Sequence, residues 1–285
     1  MVQKRKKRPT SLRRSNRHII SHIILTLWAI LVLFPLWTMV INSFKDRTSI
    51  YTNTFWLPKK WHFSNYGEVL GSGDFMQYFL NSFIVVCLSL ALILIFGSMV
   101  SYALAHWRGK WSRIIFLFFI MGMMLPIKIA SIKLLQIVRD LGIINTIWAL
   151  IPIYVAMGMP ISVFILTEFI RQIPNDLVEA SLVDGAGRFK IFIQIIVPLL
   201  RPALSTVAIY NLVPLWNDLW FPLIFITDDK SKTLLLGVTR LFGQYQTDWS
   251  KVLAVLTLSA LPVIILYIVM SKQFIKGMTA GAIKG

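Results

Sequence analysis

The chain has little charge and almost no cysteine. Asp, Glu, Lys and Arg make up 14% of its 285 residues, against about 25% in soluble proteins. Apolar residue types make up 56%, and the mean hydropathy is +0.70. The single cysteine, Cys87, stands in an apolar stretch, so it is expected to be a small apolar residue and cannot form a disulfide within the chain. This composition predicts an integral membrane protein.

The sequence also lacks the motifs of common enzyme and nucleotide sites. No G-x-x-x-x-G-K-[ST] occurs, so no P-loop for ATP is expected. No G-x-S-x-G nucleophile motif occurs either. The four histidines are scattered, without paired cysteines or carboxylates. We therefore expect this chain to have no catalytic residue and to bind no metal or cofactor.

Positive charge is concentrated at the N-terminus. The formal net charge is +17, and residues 1–18 form a basic arm that holds eight of the 29 Lys and Arg residues. A basic arm can bind nucleic acid, but ahead of a membrane span it more often fixes orientation. The apolar run that follows is too long for a cleaved signal peptide. A cytoplasmic arm, with no nucleic-acid partner, is the prediction.

Six apolar segments are long enough to cross a bilayer, which takes about 20 helical residues. They lie at about 19–41, 80–105, 113–135, 146–170, 203–226 and 252–273. Several contain proline, which predicts kinks or short breaks. Residues 136–145 are expected to form a short helix ending at Gly142. The fold class is therefore an all-α integral membrane protein whose transmembrane domain covers 19–273 and has six transmembrane helices.

Charge predicts the orientation. With six spans and both termini inside, the cytoplasmic segments carry 18 of the 29 basic residues and four of the 12 acidic ones. Basic residues are typically enriched on the cytoplasmic side. The loop 171–202 and the tail 274–285 are then expected to be cytoplasmic as well.

The loop 171–202 contains a spaced pattern, EASLVDGAGRFKIFIQIIVPLLRP, from Glu179 to Pro202. Asn175 or Asp176 is expected to cap a first helix. Gly185 suits a left-handed helix end, with a second helix running on towards Pro198. Two short helices joined at a glycine would form a compact docking surface. The alternative is an ordinary hairpin, which usually needs only a few residues.

This pattern resembles the EAA loop by which permease subunits of ABC importers engage their ATPase. Five further segments resemble permeases of the maltose-transporter type: NSFIVV (Asn81–Val86), SYALAHWR (Ser101–Arg108), LGIINT (Leu141–Thr146), WNDLWFPLIFI (Trp216–Ile226) and FIKGMTAGAIKG (Phe274–Gly285). Two departures are Ser181, where a second Ala is commoner, and Val197, where Leu is commoner.

The resemblance implies a permease subunit that forms half of the pathway of an ABC sugar importer in the bacterial cytoplasmic membrane. It implies three protein partners: a second permease, an ATPase dimer that binds ATP and Mg²⁺, and an extracytoplasmic sugar-binding protein. The loop 227–251 would contact that binding protein, and Thr279–Gly285 would approach the ATPase. It also implies a set of ATPase-coupling residues: Glu179, Ala180, Ser181, Asp184, Gly185, Ile195 and Pro198.

The fifth span contains a polar and aromatic cluster: Asn211, Trp216, Asn217, Asp218 and Trp220. Such side chains suit a sugar path, but hydrogen bonds between helices and an interfacial tryptophan belt explain them too, and we favour the second interpretation. A carboxylate facing lipid costs about 2.5–3.5 kcal/mol, so Asp218 should face the bundle, a cavity or the interface. A non-sugar solute such as a polyol or glycerol phosphate stays open. An ion-coupled transporter would need titratable groups in several spans, and Asp218 is the sole candidate.

Overall fold

The computed structural model describes residues 11–107, 109–242 and 247–282, with side chains within 19–269. The first ten residues of the predicted basic arm and the last three of the predicted tail lie outside the described residues. Within the described ranges the chain forms helices and no strand. The prediction of an all-α protein is therefore confirmed for this part of the chain.

The helices are long in the bundle and short in the connections. In chain order they are α1 (Ser11–Ser43), α2 (Arg47–Thr52), α3 (Ser64–Gly71), α4 (Asp74–His106), α5 (Lys110–Met124), α6 (Ser131–Asp140), α7 (Leu150–Ile170), α8 (Asn175–Val183), α9 (Arg188–Leu199), α10 (Arg201–Trp216), α11 (Trp220–Phe225), α12 (Leu234–Val238) and α13 (Trp249–Ala282). Short 3₁₀ turns precede α6 and α7, and a π-helical turn, Phe192–Ile196, lies within α9.

Four described segments are long and apolar enough to cross a membrane unbroken: Ile19–Ser43, Asp74–His106, Ile147–Ile170 and Trp249–Val269. Two further pairs qualify only as bent spans. The segments Lys110–Met124 and Ile127–Asp140 meet at 84°, and α9 meets α10 at 72°. The described chain therefore has four spans, or up to six if each bent pair crosses once. Six spans stay a prediction.

Two predicted spans are not single helices. The segment 113–135 is interrupted because Leu125 is extended (φ −84°, ψ 121°) ahead of Pro126, as the residue before a proline tends to be. The segment 203–226 is interrupted between Trp216 and Trp220. The short helix expected within 136–145 lies earlier, as α6, and Gly142 follows it with a φ of +69°.

The bundle is centred on α4 and α7, which pack together over most of their length. Gly158 permits this close packing, because a Cβ there would lie 2.6 Å from Asn211 Oδ1 and closer still to Ile93 Cδ1. The main apolar core surrounds this crossing and includes Val85, Ile93, Tyr154 and Leu166. A second, smaller core lies beneath the loop 171–202.

Three groups of connections meet at the opposite end of the bundle, here named the connection end (residues 44–73, 125–146, 217–242 and 247–248). Asn81 Nδ2 donates to the carbonyl oxygens of Lys230 and Lys232 at 2.7 and 2.9 Å, and Ser82 Oγ accepts from Leu234 N at 2.8 Å. Ion pairs link Lys251 to Glu68 and Arg240 to Asp229. Asn81 and Ser82 thus anchor the long connection between α11 and α12.

Candidate functional site

The loop 171–202 reverses direction at Gly185. Its φ is +81°, in the left-handed region that glycine adopts at little steric cost. The N–H of Gly185 donates to the oxygen of Leu182 at 3.0 Å, and that of Ala186 donates to the oxygen of Ser181 at 2.9 Å. This paired arrangement is the Schellman motif, which satisfies the last carbonyls of α8.

The start of α8 differs from the sequence prediction. Asn175 and Asp176 are already helical, the capping position is Pro174, and no side chain caps the helix. A capping side chain must come from the residue just before the first helical one. The expected cap at Asn175 or Asp176 is therefore wrong, although Asp176 still lies in the first turn, where negative charge is favourable.

The seven predicted coupling residues fall into two groups. Glu179, Ala180, Asp184, Gly185 and Pro198 are exposed, whereas Ser181 and Ile195 are partly buried. Ser181 Oγ donates to the oxygen of Leu177, one turn earlier in α8. Ile195 packs against the small core beneath the loop. The five exposed residues are available for contact with a partner protein. Ser181 and Ile195 contact other parts of this chain and stabilise the loop.

Exposed apolar residues at the tip of the loop were not identified from the sequence. Val183 is 88% exposed and Phe189 is 68% exposed, and they flank Gly185 from the two helices. Together with Leu182, which is also exposed, they form an apolar tip, defined here as Leu182, Val183 and Phe189. Their positions on either side of Gly185 are the sequence signal that could have identified them.

The small core joins the loop to the bundle. Val178 of α8 and Ile191, Phe192 and Ile196 of α9 are buried against Ile170 at the end of α7. On the α4 side, the rings of Tyr102 and Phe192 have centroids 5.2 Å apart. A displacement of the loop would therefore act on the ends of α4 and α7.

A cleft of about 750 Å³ separates α8 from the end of α4. Glu179 and Leu182 line it from the loop, Arg188 from the start of α9, and Tyr102 and His106 from α4. Glu179 is thus the predicted coupling residue that faces this cleft. The cleft carries both a carboxylate and a guanidinium on its walls.

The five candidate substrate-path residues are not brought together in one site. Asn211 Nδ2 donates to Ser162 Oγ at 3.2 Å and to the oxygen of Val207 at 2.9 Å. The indole N–H of Trp216 donates to the oxygen of Ser259 at 3.0 Å. Both side chains are buried and join α10 to α7 and α13, as the favoured interpretation of the sequence expected.

The other three lie at the break between α10 and α11. Asp218 accepts from Tyr154 Oη at 2.9 Å and from the backbone N–H groups of Trp220 and Phe221 at 3.2 and 3.3 Å. Asp218 therefore faces the bundle and accepts from the first two N–H groups of α11. These hydrogen bonds offset the cost of placing a carboxylate in an apolar span. Asn217 is exposed and donates to the oxygen of Val213.

Trp220 connects this break to α6. Its indole N–H donates to Ser131 Oγ at 2.9 Å, and Lys128 Nζ lies 5.6 Å from the centre of its ring. Farther along α10, Tyr210 is exposed and lines a half-open cavity of about 220 Å³ with Gly122 and Met157. Sequence reasoning missed Tyr210 because a single tyrosine in an apolar span carries no pattern.

The model of the family described as "Binding-protein-dependent transport system inner membrane component" matches residues 93–280. The Diacetylchitobiose uptake system permease protein NgcG of Streptomyces coelicolor is 33% identical over 267 residues, which cover 93% of this chain and 88% of that protein. The Melibiose/raffinose/stachyose import permease protein MelC of Bacillus subtilis is 34% identical over 267 residues, 92% of this chain and 96% of that protein.

Among solved structures, a chain of a bacterial ABC transporter involved in the import of the acidic polysaccharide alginate superimposes with a TM-score of 0.80. It is 21% identical, and the match covers 94% of this chain and all of that one. At this identity the likeness concerns the fold alone. The chain belongs to the family of inner membrane components of binding-protein-dependent transport systems, the permease subunits of ABC importers.

Proposed function

We propose that this chain is one of two permease subunits of an ABC importer for oligosaccharides. The observation that carries the proposal is the exposed loop at Gly185, whose apolar tip projects from the bundle while its base is packed on α4 and α7. The relatives named for diacetylchitobiose and for melibiose, raffinose and stachyose support a sugar as the solute.

In this proposal the chain transmits force and does not hydrolyse ATP. A separate ATPase dimer binds ATP and Mg²⁺ and receives the loop 171–202 in a surface cleft. When the dimer closes, the loop moves. The contact of Phe192 with Tyr102 and the small core that contains Ile191 and Ile170 then pass the displacement to α4 and α7. Alternating access at the interface with the second permease then moves the solute.

The translocation path is proposed to run past the half-open cavity at Tyr210 and the α10–α11 break. Tyr210 offers an aromatic ring with a hydroxyl, and Asn217 and Trp220 are exposed at the break. Aromatic faces and amide groups suit the mixed apolar and hydroxyl surface of a sugar. Both termini are proposed to be cytoplasmic, with the connection end facing the binding protein, on the basis of the basic residues.

The first test is a substitution at the turn. Gly185→Val places a β-branched residue at a φ of +81°, where L-residues are disfavoured by roughly 1–2 kcal/mol. We expect uptake of labelled oligosaccharide, measured with the binding protein present, to fall by at least about tenfold because a distorted turn misplaces the apolar tip. Amounts of the chain in the membrane should be unchanged.

Gly187→Val is the matched control. Gly187 has an ordinary φ of −68°, and open space surrounds its Cβ position. It should therefore retain uptake and co-purification with the ATPase. Normal uptake by Gly185→Val, or equal loss in both variants, would contradict a coupling role for this turn.

A further inference from the structure

The connection after α2 is held against the end of α1 by a buried lysine. Lys45 is fully buried, and its ammonium group donates to Asn42 Oδ1 at 2.8 Å and to the carbonyl oxygens of Asn53 and Thr54 at 2.5 and 3.4 Å. Asn42 Nδ2 also donates to the oxygen of Thr54 at 2.9 Å. The backbone at residues 53 and 54 is therefore fixed on the last turn of α1.

From this anchor the chain folds back alongside α1. The rings of Phe55 and Phe34 are stacked with centroids 5.6 Å apart. Phe34 precedes Ser43, the end of α1, by two and a half turns, about 13 Å along the axis. Phe55 thus lies beside the apolar segment Ile19–Ser43, which is long enough to span a membrane, and not beyond its end.

The folded-back chain exposes apolar groups and then cations. Trp56 is 78% exposed, and Phe55, Leu57 and Phe63 are exposed as well. Lys59 and Lys60 follow directly and are exposed. No ion pair joins either of them within the part of the chain that the structure describes.

We propose that residues 53–63 form a lipid-binding wedge in the bilayer interface. Phe55, Trp56 and Leu57 insert among the acyl chains, and Lys59 and Lys60 bind the headgroup phosphates of anionic phospholipid. Aromatic side chains favour this zone, and lysines nearby reach the charged headgroups. The Lys45 anchor sets the depth of the wedge.

Two observations favour lipid over another occupant of this surface. The wedge is continuous with the apolar surface of α1, which is exposed along its membrane-spanning length. The order along the chain also matches the order of a bilayer leaflet, because the apolar group nearest Phe34 lies deepest and the cations follow. The inference requires only that the chain lies in a membrane, so it does not depend on the proposed solute.

Depth is tested with a spin label. In the native complex, purified and placed in lipid nanodiscs, a nitroxide is attached to Trp56→Cys in a Cys87→Ser background. Power saturation should show high accessibility to oxygen and low accessibility to a water-soluble nickel chelate. A label at Lys230→Cys, exposed at the same end of the bundle, is the aqueous control. Exposure of residue 56 to nickel would overturn the proposal, and so would protection from both reagents, which would mean that another subunit covers the wedge.

Headgroup binding is tested with Lys59→Gln/Lys60→Gln. Nanodiscs of phosphatidylcholine with increasing phosphatidylglycerol are used, and the phosphatidylglycerol retained by the complex is measured by native mass spectrometry. We expect the double variant to bind this lipid about thirtyfold more weakly, because the headgroup contacts of two lysines are lost. Lys133→Gln/Lys230→Gln removes two exposed cations from the same end of the bundle and should have no such effect. Equal loss in both double variants, or no loss in the first, would overturn the headgroup contact.

Discussion

Gly158 is the residue on which the close packing of α4, α7 and α10 depends. It lies where α7 meets both Ile93 of α4 and Asn211 of α10, with no room for a Cβ. The amide of Asn211 is held in place by its bonds to Ser162 and Val207. Neither neighbour can withdraw easily, because both are buried. The three helices thus share one tightly packed point.

Gly158→Ala is therefore expected to destabilise the protein. Overpacking of a tight core costs about 1–3 kcal/mol, which outweighs the roughly 1 kcal/mol that alanine adds to helix propensity. The thermal unfolding midpoint of the purified chain in detergent should fall by several degrees.

Gly97→Ala serves as the comparison for that measurement. Its Cβ would lie 3.4 Å from Ser162 Cβ and 3.6 Å from Leu166 Cδ1, close to ordinary contact distances. This variant should unfold at or slightly above the temperature of the unchanged protein. Equal unfolding temperatures for the two variants would show that the Gly158 contact relaxes without cost.

The structural roles of single residues could be predicted from the sequence to different extents. Gly185 was predictable because a left-handed turn needs a glycine and leaves a local pattern. The roles of Asn211 and Trp216 left two interpretations open, because their partners Ser162 and Ser259 are 49 and 43 residues away. The cap at Asn175 was mispredicted because Pro174, one residue earlier, takes the capping position.

At the level of elements, proline alone did not reveal which helices break. Pro35, Pro160, Pro214 and Pro262 all lie inside continuous helices, whereas Pro126 follows the end of α5. Neighbouring helices can satisfy the carbonyls that a proline frees. Met124 and Leu125 are largely exposed, so no element within the described chain covers the backbone there. The difference is tertiary, and the local sequence does not contain it.

The break before α11 is stabilised by Asp218. One carboxylate accepts three hydrogen bonds, from Tyr154 and from the first two N–H groups of α11. Tyr154 is only 1% exposed, so its hydroxyl has no water to replace this partner. Asp218 thus fixes the start of α11 and also connects it to α7.

Substitutions should separate these two contributions. Asp218→Ala removes the acceptor of the first two N–H groups of α11 and of the Tyr154 hydroxyl, for an expected loss of about 2–4 kcal/mol. Tyr154→Phe removes only the bond to α7, for about 1 kcal/mol. Stability, measured by denaturant or thermal unfolding in detergent, should be highest for the unchanged protein, lower for Tyr154→Phe and lowest for Asp218→Ala. The same loss in both variants would indicate that the bonds from Asp218 to the N–H groups of α11 contribute nothing.

At the scale of the whole molecule, the two ends of the bundle differ in chemistry. The connection end is held together by ion pairs and by side-chain hydrogen bonds such as those that the Asn81 amide donates. The loop end projects an apolar tip with no partner among the described residues. Hydropathy predicted the membrane class because it is summed over long segments, whereas the apolar tip was not identified from the sequence. The packing of α4 on α7 depends on contacts that those sums do not include.

The apolar tip leads to a prediction about assembly. An 88% exposed valine beside an exposed phenylalanine is unfavourable in water and typical of a surface that a partner covers. Val183→Asp and Phe189→Asp should each weaken binding of the ATPase at least about tenfold, because an unpaired charge would enter a desolvated contact. Folding should be unaffected, since neither side chain belongs to a core cluster.

Affinity is measured by titrating the purified ATPase onto the immobilised permease complex. Gln172→Asp adds the same charge at an exposed position near the start of the loop and should bind normally. Unchanged affinity in both tip variants would mean that the ATPase contacts the loop elsewhere, with the Glu179 cleft as the remaining surface.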